Sequence, residues 1–266
     1  MIEIALCLAI IGFALVSILL VLPSGMNTQR ETREETIINQ DATMLLEAIR
    51  SGARGLDDLT NNVYAITNYF THYNAQGLPN LPTHTWGYTY ARASLDGGAD
   101  DAGKHLTNGL RIIGLLSTPE FLDNNDQPIP SALAPTTLGR FYTSNHVVAY
   151  VRSFSGLAAE KPPQNNQIMQ EDTFSYRVLC VNAPLAADTN VLEKSSPFFS
   201  AYNHQLAGNL RELRMTFLWP QLPNGNVGAF RQTFRTSVGG QLTGTYDPVN
   251  SLMLYFYQSQ SFTNAP

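Results

Sequence analysis

Residues 1–22 constrain this chain more than any other stretch, because between Met1 and Leu22 every residue is apolar or small except Glu3. As one α-helix the run is roughly 33 Å long, enough to cross the hydrocarbon core of a bilayer. A secretory signal peptide would begin with a basic region and close on a small-residue cleavage site, and neither is present. The first basic side chain of any kind is Arg30. A carboxylate deep in an apolar helix costs about 2.5–3.5 kcal/mol on insertion scales, so Glu3 calls for a partner. Two roles stay open for it: capping orphan N–H groups of its own first turn, or pairing with a cation of another molecule.

Met1-Ile2-Glu3-Ile4-Ala5-Leu6, followed by Gly12 in an unbroken apolar helix, resembles the opening of type IV pilins and pseudopilins. The family's glutamate is normally the fifth residue of the mature chain and here it is third. Two further residues and a basic leader are therefore expected upstream. The resemblance covers roughly the first 75 residues. It implies an α+β, pilin-like fold, with a long N-terminal helix packed on an antiparallel sheet. It also implies assembly roles for Met1, Glu3, Gly12 and Pro23.

Three segments are expected: residues 1–23 as the transmembrane or filament-core helix, 24–75 as its amphipathic continuation, and 76–266 as a β domain. Pro23 removes an N–H and disfavours helix at Leu22, so it either stops the helix or kinks it. The family resemblance favours a bent or locally unwound segment within a continuing helix. Thr28-Gln29-Arg30-Glu31 and Thr32-Arg33-Glu34-Glu35 both fit the capping-box spacing of a helix restart. Beyond them Ile38, Ala42, Leu45, Ile49, Gly52, Leu56, Leu59, Val63, Ile66 and Phe70 recur at steps of three and four. That period predicts an amphipathic helix, with Asp41, Glu47, Arg50, Arg54 and Asp57 on its polar faces. A helix on a sheet and a two-stranded coiled coil would share this pattern.

From Gly77, Pro79 and Pro82 onward the pattern becomes that of short strands. Trp86 to Tyr90, Leu110 to Leu116, Val147 to Val151, Thr173 to Val181, Leu213 to Trp219 and Phe230 to Val238 are predicted strands. Most alternate apolar and polar residues, as half-buried antiparallel strands do. Ser251 to Tyr257 is apolar on both faces and predicts a central strand. Pro223 to Asn226 and Gly239-Gly240 predict hairpin turns. Leu213 to Pro220 with the turn after it resembles stretches of large verrucomicrobial pilin-like proteins. Two long loops are expected, Thr118 to Arg140 and Ser155 to Glu171.

No catalytic constellation is present in the sequence. His72, His84, His105, His146 and His204 are dispersed, and no nucleophile elbow, phosphate loop or Cys-x-x-Cys occurs. Asp96 to Asp101 and Asp123 to Asp126 carry oxygens that suit calcium, but the second lacks the glycine and bidentate glutamate of an EF-hand, and solvated turns are expected at both. Cys7 lies in the apolar helix and Cys180 in a strand, so no intrachain disulfide is expected. The net charge is −5, Lys occurs only at Lys104, Lys161 and Lys194, and Arg is scattered, so no nucleic-acid partner is predicted.

The expectation is a non-enzymatic structural subunit without a cofactor. It would sit in the inner membrane, be trimmed by a prepilin peptidase, and then pass through the pilus assembly machinery. The product would be a helical filament of its own copies at the cell surface. A minor pseudopilin of a secretion pseudopilus, and a membrane-tethered binding protein or enzyme, are the alternatives.

Overall fold

A computed structural model describes residues 2–52, 56–89, 105–129, 142–155, 174–185, 209–222, 225–248 and 252–258. The chain falls into two compact units, Met1–Gln40 and Asp41–Pro266.

Helix α1 runs from Ile2 to Arg50 and supplies all of the first unit. It passes Pro23 without a break, so the locally unwound segment expected there is absent. Nor does the helix restart at the threonines. Thr28, Thr32 and Thr36 donate their hydroxyls to the carbonyls of Ser24, Thr28 and Thr32, at 3.0, 2.9 and 2.8 Å. An N-cap threonine accepts from a backbone N–H instead, and these back-bonds mark the middle of a helix. Arg30 and Glu34 add an i,i+4 ion pair at 2.8 Å.

In the second unit the last turns of α1 bury Ala42, Leu45, Ala48 and Ile49 while Glu47 and Arg50 stay exposed. The helix ends at Arg50 rather than continuing to residue 75. Gly52 takes φ +60°, and a Cβ there would meet the Tyr257 carbonyl oxygen at 2.5 Å. Only glycine fits that turn. A short helix α2 (Leu59–Asn62) leads into strand β1 (Val63–Tyr73), which turns at Asn74 to Leu78 into β2 (Pro79–Thr89). Gly77 and the two prolines expected to end a helix therefore make a hairpin and its second strand.

Helix α3 (Gly109–Leu116) stands where a strand was predicted. Asn108 caps it by accepting from the Arg111 N–H at 3.0 Å, a start signal of the kind polar caps give. Nearly every residue of α3 is buried, which erases the one-sided pattern that identifies a helix. The remaining strands are β3 (Phe121–Asp123), β4 (Tyr142–Arg152), β5 (Ser175–Pro184), β6 (Leu210–Gln221), β7 (Val227–Gly239), β8 (Leu242–Asp247) and β9 (Leu252–Tyr257).

Among the described residues seven strands form one antiparallel sheet in the order β2-β1-β4-β5-β6-β7, with β3 beside β4. The predicted alternation holds in it. Tyr176, Val178 and Cys180 on β5 and Leu213, Met215 and Phe217 on β6 are buried, and the residues between them are not. The β6–β7 turn is a hairpin as expected, with Gly225 at φ +80°. Gly239-Gly240 is not. At Gly240, φ +129°, the chain leaves the large sheet, and β8 pairs only with β9. The expected central strand is thus half of a two-stranded hairpin. Helix α3 covers the face that carries Leu254 and Phe256, where a Cβ on Gly114 would meet them at 2.8 and 2.9 Å, and the opposite face buries Tyr255 and Tyr257, whose hydroxyls reach the Asp126 carbonyl and Asn182.

Candidate functional site

Every residue from Ile2 to Arg33 is exposed. The first part of this surface is apolar around the whole circumference, with Ile2 87 %, Phe13 78 % and Leu20 73 % accessible. Soluble monomers rarely leave contiguous apolar patches beyond a few hundred Å² uncovered, so the helix needs lipid or protein around it. It is long and apolar enough to cross a membrane.

The four expected assembly residues fall differently. Met1 lies outside the described residues. Glu3 occupies the first turn of α1, where a carboxylate complements the helix dipole. Along the helix its nearest basic residue, Arg30, is about 40 Å away, so the helix itself supplies no cation. Gly12 has nothing within 4 Å of the position a Cβ would take. The helix therefore carries a weak helix former with no reason among the described residues, at about 0.5–1 kcal/mol relative to alanine. Pro23 stays within the helix, as described above.

A polar centre in the second unit was not expected. Asp41 is fully buried and accepts from the Phe154 N–H at 3.0 Å, the Ser155 hydroxyl at 2.6 Å and the Tyr176 hydroxyl at 2.9 Å. It thereby ties the end of α1 to β5 and to the loop after β4. Burial pushes its carboxyl above the ordinary 3.8, and the hydrogen bonds from Ser155, Tyr176 and Phe154 oppose that. Asp41 had been placed on a polar face. Its spacing from Ile38 and Leu45, three and four residues away, is the signal that assigns it to the apolar one.

Burial likewise raises Glu120, against Arg214 and Arg211 beside it. A second buried network joins Tyr257 to Asn182 at 2.7 Å and Asn182 to the Ser117 carbonyl at 2.7 Å. Both cysteines are free thiols, Cys7 exposed and Cys180 buried.

Of the dispersed histidines, the β1–β2 pairing brings His72 and His84 to 5.9 Å between ring centroids, and His146 stacks on Tyr69 at 5.4 Å. His204 and Asp96 to Asp101 lie outside the described residues. Asp123 closes its own turn, accepting from the N–H groups of Asn125 and Gln127, both at 2.8 Å. Among the described residues no three metal-ligating side chains converge. Of the expected long loops, Thr118 to Arg140 is described as far as Ile129 and holds β3 and its turn, and Ser155 to Glu171 lies outside the described residues beyond Ser155. Compared with known protein families, with curated proteins and with solved structures, the chain matches none.

Proposed function

We propose that the chain is the structural subunit of a type IV pilus-like filament on a diderm bacterium. The observation that carries this reading is the exposed, all-round apolar helix with Glu3 in its first turn. In the membrane α1 is an anchor. After removal of a leader by a prepilin peptidase and extraction by the assembly machinery, helices of many copies cover one another in the filament core. Burial of their apolar surface supplies the driving term, at about 25 cal/mol per Å².

Burial alone is non-directional, and Glu3 supplies the axial register. In the packed core the carboxylate needs a cation, and its own helix has none before Arg30. A free N-terminal amine on the neighbouring copy, one axial step away, meets that need. Removing one member of a buried pair costs about 3–5 kcal/mol because the other charge is left uncompensated.

Glu3→Ala is therefore expected to leave the subunit inserted and folded while abolishing or misregistering filaments. Glu3→Gln, which still accepts a hydrogen bond, is expected to be milder. Filament yield after shearing, set against subunit level in membranes, measures both. Wild-type yield from Glu3→Ala would sink the pairing and leave Glu3 as a cap of its own helix. A subunit that stays monomeric in detergent and never enters filaments would favour a tethered binding protein.

A further inference from the structure

We infer that the outward face of the large sheet binds an acidic polysaccharide. The sequence scatters its arginines, but the strand register gathers five of them on this face. Tyr150, Arg177, Leu218 and Arg231 lie in one row across β4, β5, β6 and β7. Four residues along the strands, Val181, Arg214 and Arg235 form a second row. Arg152, two residues beyond Tyr150, is the fifth.

Arg214 and Arg235 sit directly opposite one another, an arrangement that like charges disfavour. Their counter-charges are loose. Glu212 stands 3.8 Å from both and Glu120 stands 3.8 Å from Arg214, beyond hydrogen-bond range. The Nε groups of Arg177 and Arg214 are buried without an acceptor, while Arg177 donates Nη2 to the Gly225 carbonyl at 2.8 Å. In a chain of net charge −5, five guanidiniums against two carboxylates among the described residues make this a segregated positive face.

The spacing selects among polyanions. Arg177 and Arg231 are two strands apart, about 10 Å, and Arg231 lies about 14 Å along β7 from the Arg214–Arg235 pair, whose members stand one strand apart, about 5 Å, and together suit one anion. Phosphates on a nucleic-acid strand come far closer together, at about 3.4 Å of duplex axis. Two of this face's rings are already covered, and Tyr69 and His146 are stacked on each other. Arg152 covers the Tyr64 ring and Arg177 the Tyr150 ring, each at 5.0 Å. Between the charged rows lie the Thr216 and Thr233 hydroxyls, paired at 3.0 Å. Widely spaced anions separated by hydroxyl groups describe a polysaccharide with a carboxylate or sulfate ester once per repeating unit.

The inference does not rest on filament assembly and is tested on the unassembled subunit. The full chain in detergent is titrated into a labelled hyaluronan fragment at low salt and followed by anisotropy. Parallel arms use a chondroitin sulfate fragment, the carboxyl-reduced neutral hyaluronan, and a single-stranded oligonucleotide of equal charge. Binding of either acidic glycan, weakened by added salt and absent for the neutral one, is expected. The two acidic arms distinguish carboxylate from sulfate.

Arg231→Gln with Arg235→Gln should weaken binding roughly tenfold. Glu212→Gln should tighten it severalfold by removing a competing carboxylate, a gain that misfolding cannot imitate. No acidic-glycan binding at low salt overturns the proposal, as does an oligonucleotide that binds as tightly as the acidic glycans. An unchanged affinity in Glu212→Gln overturns the role of the arginine rows.

Discussion

Asp41 is where a single side chain has the widest reach, because it holds three donors from two other segments without a cation. Its carboxyl titrates above 3.8 in the folded chain. The native state then keeps a proton that the unfolded chain has lost. The stability this group contributes is complete below pH 3.8 and is lost as pH rises through the folded value. Asp41→Asn removes that titration, so denaturant melts at a series of pH values should show a flatter fall in stability above 3.8. Glu120 shifts the same way and accounts for part of the slope that remains. Identical slopes in variant and parent would remove Asp41 from the account. Cys180 offers a second test. Burial pushes its thiol up to about 12, and Sγ donates to the Leu116 carbonyl at 3.1 Å. Alkylation near neutral pH should reach it only after unfolding, because the thiolate is the reactive species. Fast labelling of the native chain would contradict the burial. The absence of a disulfide was legible from the sequence alone, since one cysteine sits in an apolar helix and the other on a strand.

At the scale of elements, the sequence was read well where the two faces of a strand differ and poorly where they do not. Strands β5, β6 and β7 alternate, and that period makes them legible. The helical step of three and four ran on past Arg50 for a physical reason. Val63 and Ile66 are both buried in β1, and strand residues three apart share a face only because the β1–β4 register shifts between Val63 and Ala65. The bulge imitates a helical period. Nothing in residues 110–116 distinguishes a fully buried helix from a fully buried strand except the polar cap before it, Asn108. The true end of α1 leaves Leu45 as its best test. Leu45→Ala should cost about 2–5 kcal/mol by opening a cavity, whereas Glu47→Ala, on the exposed side, should stay within about 0.5 kcal/mol. Denaturant melts of a chain shortened to begin at Thr28 compare the two, and equal losses would argue against a one-sided helix.

At the scale of the whole molecule, the α+β layout and the apolar helix were legible because length and apolarity need no partner to be recognised. The second sheet was not, since Gly239-Gly240 has the composition of a hairpin and only its neighbours decide that it changes sheet. The polysaccharide face was equally hidden, because its arginines are brought together by register and not by spacing. For the assembled molecule, Gly12 carries the expectation. None of the described residues occupies the space beside it, so Gly12→Leu should leave insertion and folding intact and lower filament yield sharply. Normal filaments would mean that no neighbouring helix approaches there. The hairpin β8–β9 also sets a timetable. The carbonyl of Tyr257 closes over Gly52, and Leu254 and Phe256 close over Gly114, so the turn after α1 and the helix α3 are both walled by the strand nearest the C-terminus. A ribosome delivers α1 well before that strand. Until that strand emerges the nascent chain therefore presents a finished apolar helix and an open core, and the globular half completes its folding only after the helix has left the ribosome.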